Sequence, residues 1–200
     1  NMVINWYGEA SFKIASGDIA ILTDPFESSV GLTAPRFKSD LVLRSRPLAE
    51  YISEKDSEAR NIFGPGEYEV KGIEIRGYKS GGGAVYTLKI EDMKLGLLGE
   101  LMAKDLSPEA MEALSGADLL FVPAGGEPYI DVAGAVAVVK KLEPKIVIPC
   151  LYGVDGLKRK AGDVADFAKA LGQKAEAQEK LTIKAKDITW EGSKLIILKI

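Results

Sequence analysis

The sequence of 200 residues contains no histidine and a single cysteine. Without imidazole, the chain lacks the side chain whose unperturbed pKa lies closest to neutrality, so no histidine is there to move protons or bind a transition metal. The lone Cys150 excludes an intramolecular disulfide and suits a reducing compartment. Because Cys150 follows a buried strand and no histidine can lower its pKa, we interpret it as a core side chain rather than a nucleophile.

Long apolar runs and an excess of basic residues are also missing. Apolar stretches such as Val132 to Val139 are far shorter than the roughly 18 residues that indicate a membrane span. The net charge of −3 gives no electrostatic footprint for nucleic acid. The first residues show no basic segment followed by an apolar one, so no secretory signal is predicted. We therefore predict a cytoplasmic protein that binds neither nucleic acid nor a membrane.

What the sequence does contain is typical of a globular protein with both helices and strands. The hydrophobic fraction is 46% and the charged fraction is 28%. Short β-prone segments separated by turn residues fill the first half, and from Ser107 onward helices alternate with strands. No break in composition divides the chain, so we predict one domain over residues 1–200. Sheets with helices on their outer faces would cover every apolar face.

Three helices of the second half begin at residues that cap helix N-termini, namely Ser107, Asp131 and Asp163. The helix after Asp131 is apolar nearly all round, so we expect it to be buried. A further short, exposed helix is predicted from Leu48 to Arg60. The basic cluster Lys158-Arg159-Lys160 is interpreted as a solvated segment that precedes the last helix.

Six spaced segments together carry a resemblance that runs nearly from end to end. They are Trp6-Tyr7-Gly8-Glu9-Ala10-Ser11-Phe12, Thr23-Asp24-Pro25-Phe26, Gly64-Pro65-Gly66-Glu67-Tyr68, Leu98-Gly99-Glu100, Pro123 to Asp131, and Ile148-Pro149-Cys150-Leu151-Tyr152. In this order they resemble the metallo-β-lactamase superfamily, and within it the branch of UPF0173 and L-ascorbate-6-phosphate-lactonase-like hydrolases. The resemblance implies an α/β fold, an αββα sandwich of two mixed sheets flanked by helices, with the site at one edge between the sheets. It also implies metal-dependent hydrolysis.

The metal-binding motif of that family is replaced in this chain. After the strand Leu41-Val42-Leu43 and Ser45, the family has His-x-His-x-Asp-His, whereas this sequence reads Arg-Pro-Leu-Ala-Glu-Tyr. By the resemblance, three metal-binding histidines are replaced by Arg46, Leu48 and Tyr51. Glu50 stands in the place of the aspartate.

The other metal-bearing positions depart from the pattern in the same way. The resemblance places Glu9 and Leu151 where the family has site histidines, and Glu100 where it has an aspartate that often bridges two metals. Leucine donates nothing to a metal, and arginine is a permanent cation. We therefore predict no catalytic residue, no metal ligand and no cofactor. The degenerate pocket is predicted to comprise Glu9, Asp24, Arg46, Glu50, Tyr51, Glu100, Leu151 and Tyr152.

The predicted pocket holds more carboxylates than cations. The acidic residues expected to converge are Glu9, Asp24, Glu50 and Glu100. Arg46, with Arg44 on the same side of the strand, offsets only part of their charge, and crowded carboxylates cannot all stay ionised at low cost. The first interpretation is that Arg46 bridges Glu9, Glu50 or Glu100. The protein would then be catalytically silent and serve as a binding or interaction module for an unidentified small molecule or protein, including a second copy of itself in a homo-oligomer.

Two alternatives remain open at this point. In one, the carboxylates recruit a hard cation such as Mg²⁺, Mn²⁺ or Ca²⁺, and hydrolysis of a phosphoester or lactone survives in altered form. In the other, the cleft is an anionic-ligand or nucleotide pocket built on Arg44, Arg46, Tyr51 and Tyr152. The acidic balance of the pocket disfavours the second alternative.

Overall fold

The computed structural model describes residues 1–47, 60–103 and 106–200. Within these ranges, fourteen strands form two sheets and three α-helices connect or cover them. In chain order the strands are β1 (Met2–Gly8), β2 (Ser11–Ser16), β3 (Ile19–Thr23), β4 (Leu41–Arg44), β5 (Arg60–Phe63), β6 (Gly66–Val70), β7 (Ile73–Ser80), β8 (Gly83–Ile90), β9 (Met93–Leu97), β10 (Leu119–Pro123), β11 (Ile146–Cys150), β12 (Ala175–Gln178), β13 (Leu181–Ile183) and β14 (Lys194–Leu198). The helices are α1 (Pro108–Leu114), α2 (Val132–Leu142) and α3 (Val164–Leu171).

The first sheet has the order β13-β1-β2-β3-β4-β5 in the described residues. Strands β1, β2 and β3 form an antiparallel meander, and β4 and β5 extend it in parallel. In β1 every second residue is buried, which is the pattern of a strand with one face on the core. The connection from β3 to β4 places the ends of both strands at the same edge.

The second sheet has the order β12-β14-β11-β10-β9-β8-β7-β6. Strands β6 to β9 form an antiparallel meander, whereas β9, β10, β11, β14 and β12 run parallel. The central strands β10 and β11 are buried along their whole length, as expected of parallel strands covered on both faces. Both sheets therefore mix parallel and antiparallel pairs, which confirms the predicted fold class.

The two sheets pack against each other through one hydrophobic core. The ring of Phe12 on β2 meets the ring of Phe121 on β10 edge to face, with centroids 4.7 Å apart. Trp6 on β1 lies 4.7 Å from the ring of Tyr152, which follows β11. Aromatic pairs of this geometry stabilise the packing of the two sheets beyond what the burial of apolar surface contributes.

All three predicted helix caps are confirmed. Ser107 accepts a hydrogen bond from the backbone N–H of Ala110, and Asp131 accepts one from that of Gly134. Asp163 begins α3 in the same way, and the helix ends at Gly172 in the left-handed conformation. Helix α2 buries most of its residues, as its apolar composition predicts. No helix in the described ranges is long and apolar enough to cross a bilayer.

Three details differ from the sequence-based expectations or lie beyond them. Strand β12 is not predicted, because Ala-Glu-Ala-Gln lacks the alternation of a half-buried strand. Most of the helix predicted from Leu48 to Arg60 lies outside the described residues, and Arg60 itself begins β5. Gly83 begins β8, and a side chain there would meet the carbonyl oxygen of Ser45 at 2.3 Å.

Candidate functional site

The candidate site lies where the ends of several strands from both sheets meet. From the first sheet come the turn after β1, with Glu9, and the residues after β3 and β4, with Asp24 and Ser45. The backbone N–H of Leu151, directly after β11 in the second sheet, donates to the carbonyl oxygen of Glu9 at 3.0 Å. The backbone N–H of Glu100, beyond β9, donates to the Ser45 hydroxyl at 3.0 Å. These bonds tie the two sheets together at the edge that the resemblance implies.

Glu9 is held by an arginine that comes from far along the chain. Nε of Arg159 lies 2.9 Å from Oε2 of Glu9, and Nη2 lies 2.8 Å from Oε1, which is a bidentate ion pair. The Glu9 side chain is only 10% exposed and that of Arg159 is 23% exposed, so water screens the pair little. Burial lowers the pKa of Arg159, but the bonds and charge of Glu9 more than offset this and raise it.

The guanidinium of Arg159 has two further contacts on the second sheet. Nη2 donates to the carbonyl oxygen of Leu151 at 2.8 Å. The group also stands over the ring of Tyr129, 5.3 Å from the centroid, in cation–π geometry. Arg159 thus connects the turn after β1 with the segments after β10 and β11.

The backbone around Arg159 is anchored rather than loose. The N–H of Lys158 donates to the carbonyl oxygen of Val30 at 2.9 Å, and that of Gly162 donates to Gly125 at 2.7 Å. A side chain at Gly31 would meet the carbonyl oxygen of Gly156 at 2.0 Å, so the two segments can only pack together with glycine there. The interpretation of Lys158-Arg159-Lys160 as a solvated segment is therefore wrong for Arg159, because its guanidinium turns into the site.

Asp24 and Ser45 form a second group at the same edge. Ser45 donates its N–H to Oδ1 of Asp24 at 2.7 Å and its hydroxyl to Oδ2 at 2.8 Å. Even so, burial and the charge of Glu100 raise the pKa of Asp24 to about 7. The carboxyl of Asp24 therefore binds its proton more firmly than a free aspartate does.

Glu100 lies between these two groups. Burial raises the pKa of its carboxyl, the charge of Arg46 opposes that rise, and Glu9 adds to it. The hydroxyl of Tyr129 donates to Oε1 of Glu100 at 3.5 Å, a long bond. The carboxyl group of Glu100 therefore lies close enough to those of Glu9 and Asp24 to act on both through its charge. The thiol of Cys150 is buried beside them, and burial followed by the charge of Asp24 raises its pKa, as expected of a core cysteine rather than a nucleophile.

The predicted bridge from Arg46 to Glu9 or Glu100 is not formed among the described residues, and a bridge to Glu50 lies outside them. Within these residues no ion pair joins Arg46 to a carboxylate, and Glu9 is paired with Arg159 instead. Arg46 acts on Glu100 through its charge. The one sequence signal for a further cation is the imbalance of charge in the predicted pocket. Nothing in the pattern around residue 159 indicates which cation supplies it.

The remaining predicted site residues divide into two sets. Leu151 is fully buried, and Tyr152 is committed to the core by its stacking on Trp6 and by a 3.4 Å bond from its hydroxyl to the Leu198 carbonyl oxygen. Neither side chain offers a donor atom to a metal or an anion in the site. The predicted residues Leu48, Glu50 and Tyr51 lie outside the described residues.

Backbone conformation also marks this edge. Glu9, Asp24 and Leu151 adopt positive φ angles of 51°, 33° and 59°. For residues other than glycine such angles are strained, and strained residues gather at functional sites. The backbone at these three positions therefore has the strained conformation that functional sites often show.

The residues present do not fit a transition-metal centre. Zinc sites need imidazole, thiolate or a carboxylate together with them. In the described part of the chain, no three His, Cys, Asp or Glu side chains are arranged to hold a metal ion. The carboxylate of Glu9 is paired with Arg159, and that of Asp24 accepts two hydrogen bonds from Ser45.

The chain has two mixed sheets that meet at the edge where the ends of several strands lie together. This arrangement is that of the metallo-β-lactamase fold. A family model described as a beta-lactamase superfamily domain matches residues 3–151. The chain therefore belongs to the metallo-β-lactamase superfamily, and the resemblance read from the sequence is confirmed.

Individual relatives agree with this assignment. A UPF0173 metal-dependent hydrolase of Thermoplasma acidophilum is 25% identical, and the match covers 80% of this chain and 87% of the relative. A solved structure from Thermotoga maritima, described as a candidate Zn-dependent hydrolase of the metallo-β-lactamase superfamily, has a TM-score of 0.81 and 27% identity over 100% of both chains. A candidate metal-dependent hydrolase from Parabacteroides distasonis has a TM-score of 0.64 at 15% identity over 99% of this chain and 94% of its own. This last likeness shows the fold alone.

Proposed function

We propose that this protein is a catalytically silent member of the superfamily, a single domain that acts as a binding or interaction module without a metal ion. The proposal rests on two carboxylates of the site whose oxygens are already bound by protein donors. Glu9 is paired with Arg159, and both oxygens of Asp24 accept hydrogen bonds from Ser45. A metal ion would have to displace these protein donors and approach a guanidinium.

A large cleft beside the site supports a role in binding. It has a volume of about 1170 Å³ and shares Tyr129 with the site. Helix α2 contributes Ala133 and Ala137 to its wall, Met102 lies at one side and Lys160 at another. Pockets of this size accept small molecules. The proposed occupant is a small molecule or a segment of a partner protein.

Hydrolysis with Mg²⁺ or Mn²⁺ is the second candidate function. The observation in its favour is Glu100, whose carboxyl has only one long hydrogen bond among the described residues. The names of the relatives also point to metal-dependent hydrolysis. One carboxylate near a guanidinium is a poor site for a hard cation, which usually takes six or more oxygen ligands or several waters.

The first experiment measures metal binding by the protein itself. The chain is stripped with a chelator, dialysed, and titrated with Zn²⁺ and separately with Mn²⁺ and Mg²⁺ while its thermal unfolding is followed. We expect no saturable shift of Tm, because only a ligand that binds the folded state stabilises it. A saturable rise of several degrees with any of the three ions would contradict the proposal.

The second experiment separates the two candidate functions. Phosphodiester, lactone and thioester substrates are offered with Mg²⁺ or Mn²⁺ to the natural protein and to the Glu100→Gln variant. We expect no turnover above the buffer rate in either protein. Turnover that disappears in Glu100→Gln would establish the hydrolase function instead.

A third measurement addresses the cleft. The variant Ala137→Trp fills it from the α2 side, whereas Ala113→Trp in α1 adds the same ring elsewhere. A small molecule found by thermal shift to bind the natural protein should bind Ala113→Trp equally well. Binding by Ala137→Trp should fall at least about tenfold, which corresponds to 1.4 kcal/mol.

A further inference from the structure

We propose that Arg159 serves as a built-in cation of this site, neutralising its carboxylates and cross-linking the edges of the two sheets where the superfamily's fold would lead one to expect a metal ion. The inference deepens the proposed function and rests on it in one respect, namely that the site contains no metal. The sequence pattern alone places Arg159 in an exposed basic cluster and gives no indication of this role.

The contacts of the guanidinium match that task. It reaches Glu9 in the first sheet through two hydrogen bonds of 2.9 and 2.8 Å. In the second sheet it reaches the carbonyl oxygen of Leu151 at 2.8 Å and the ring of Tyr129 at 5.3 Å. A single side chain therefore bonds to the segments that follow the strand ends of both sheets.

With all three carboxyl groups ionised, the charges of the described site balance when Arg159 is included. Three carboxyl groups, on Glu9, Asp24 and Glu100, act on one another through space, and Arg44 and Arg46 lie among them. The charge of Arg159 reaches both Glu9 and Glu100. With it, the number of guanidinium groups equals the number of carboxyl groups, so the cluster no longer carries a net negative charge when all are ionised.

The backbone on both sides of Arg159 is anchored by hydrogen bonds that do not involve the ion pair. The flanking backbone bonds of Lys158 to Val30 and of Gly162 to Gly125 anchor the segment on both sides. Ordering a long side chain from an anchored backbone costs less conformational entropy than ordering a free loop. This is the difference between Arg159 and an exposed pair such as Arg76 and Glu67, whose atoms are 3.8 Å apart and whose side chains are 58% and 80% exposed.

The experiment combines removal of the cation with its chemical replacement. Arg159→Ala leaves a space in which free methylguanidinium fits beside Glu9. Thermal unfolding is measured with and without millimolar methylguanidinium chloride, a concentration too low to denature. Sodium chloride at the same ionic strength corrects for screening. Arg76→Ala is the matched control, because it removes an arginine from an exposed pair.

We expect Arg159→Ala to lower Tm by about 5–10 °C, because it leaves a buried carboxylate without its partner. Methylguanidinium should restore most of this loss in Arg159→Ala and change neither the natural protein nor Arg76→Ala. The double variant Arg159→Ala/Glu9→Gln should lose less than the two single variants together, and methylguanidinium should not rescue it. An additive double variant, a Tm loss no larger than that of Arg76→Ala, or a failure of rescue would each overturn the inference.

If Arg159→Ala does not fold, Arg159→Lys and Glu9→Gln provide the same comparison. Lysine keeps the charge but loses the bidentate geometry. A double variant whose loss of Tm differs from the sum of the two single losses supports the cross-link, and a loss equal to that sum overturns it. The outcome is distinguishable from failure of the proposed function, since a zinc-induced shift in the natural protein would overturn that function whatever Arg159→Ala does.

Discussion

Ser45 donates both its backbone N–H and its hydroxyl to the carboxylate of Asp24, and the same hydroxyl accepts the backbone N–H of Glu100. One serine after β4 therefore links the end of β3 in the first sheet with the segment after β9 in the second. Two donors would normally hold the pKa of a carboxyl down. Here burial and the charge of Glu100 outweigh them, and the pKa of Asp24 rises to about 7.

The raised pKa of Asp24 predicts that stability falls as the pH rises through the weakly acidic range. The folded protein holds the proton more firmly than the unfolded chain does, so the folded state binds more protons between the unfolded pKa and about 7. The stabilisation is full below the unfolded pKa and is lost as the pH passes about 7. We expect urea unfolding to show a loss of about 1–3 kcal/mol between roughly pH 5 and pH 8.

Asp24→Asn tests the source of that pH dependence. The amide keeps the acceptor for the Ser45 N–H and carries no charge, so the variant should be more stable than the natural protein at about pH 8 and show a flatter profile. The control is Asp40→Asn. The pKa of Asp40 is lowered by its hydrogen bond with Lys71, so its contribution is lost only when the pH falls through acidic values. An unchanged slope in Asp24→Asn would assign the effect to another group.

A side chain at Gly99 should disrupt the same junction. A Cβ there would lie 2.3 Å from Cβ of Ser45 and 3.0 Å from Oδ2 of Asp24, at a φ of +53°. We expect Gly99→Ala to cost more than about 3 kcal/mol, from strain and overpacking together. Gly17→Ala is the matched control: its φ is +60° and nothing lies within 4 Å of the added atom, so only the backbone term of about 1 kcal/mol remains. Equal losses in urea unfolding would contradict the packing argument.

Arg46 and Arg159 should differ in how much stability they contribute. Arg46 influences Glu100 through its charge, with no ion pair to a carboxylate in the described ranges, whereas Arg159 forms a bidentate pair. We expect Arg46→Ala to cost about 1 kcal/mol or less and Arg159→Ala to cost about 3 kcal/mol. Denaturant unfolding of the two variants side by side provides the comparison. A larger loss for Arg46→Ala would restore the bridge that the sequence alone favoured.

The end of α2 offers a stabilising change away from the site. Glu143 is exposed and caps the helix with a φ of 50°, a conformation that suits glycine. We expect Glu143→Gly to raise the free energy of unfolding by about 0.5–1 kcal/mol. Glu112→Gly, in the interior of α1, should instead lower it by a similar amount. A decrease with Glu143→Gly would show that its side chain makes a contact that outweighs the strain.

The sequence by itself determined most of the framework. The caps Ser107, Asp131 and Asp163 depend on neighbouring residues, so local pattern is enough to find them. The family motifs then indicated the edge where the strand ends meet, and the absence of histidine indicated that a transition-metal site would lack its donors. Among the described residues, β12 has no strand pattern of its own, and its pairing with β14 makes it a strand.

The tertiary structure alone decided which cation meets Glu9. The two residues are 150 positions apart, and a surface-like basic cluster carries no sign of the carboxylate it will reach. Arg46, at the first position of the replaced metal motif, was the nearer candidate in sequence. Backbone bonds from Val30 and Gly125 place Arg159 over the site instead. Long-range ion pairs depend on how separate segments are anchored in space, and that information is not written in the spacing of charged residues along the chain.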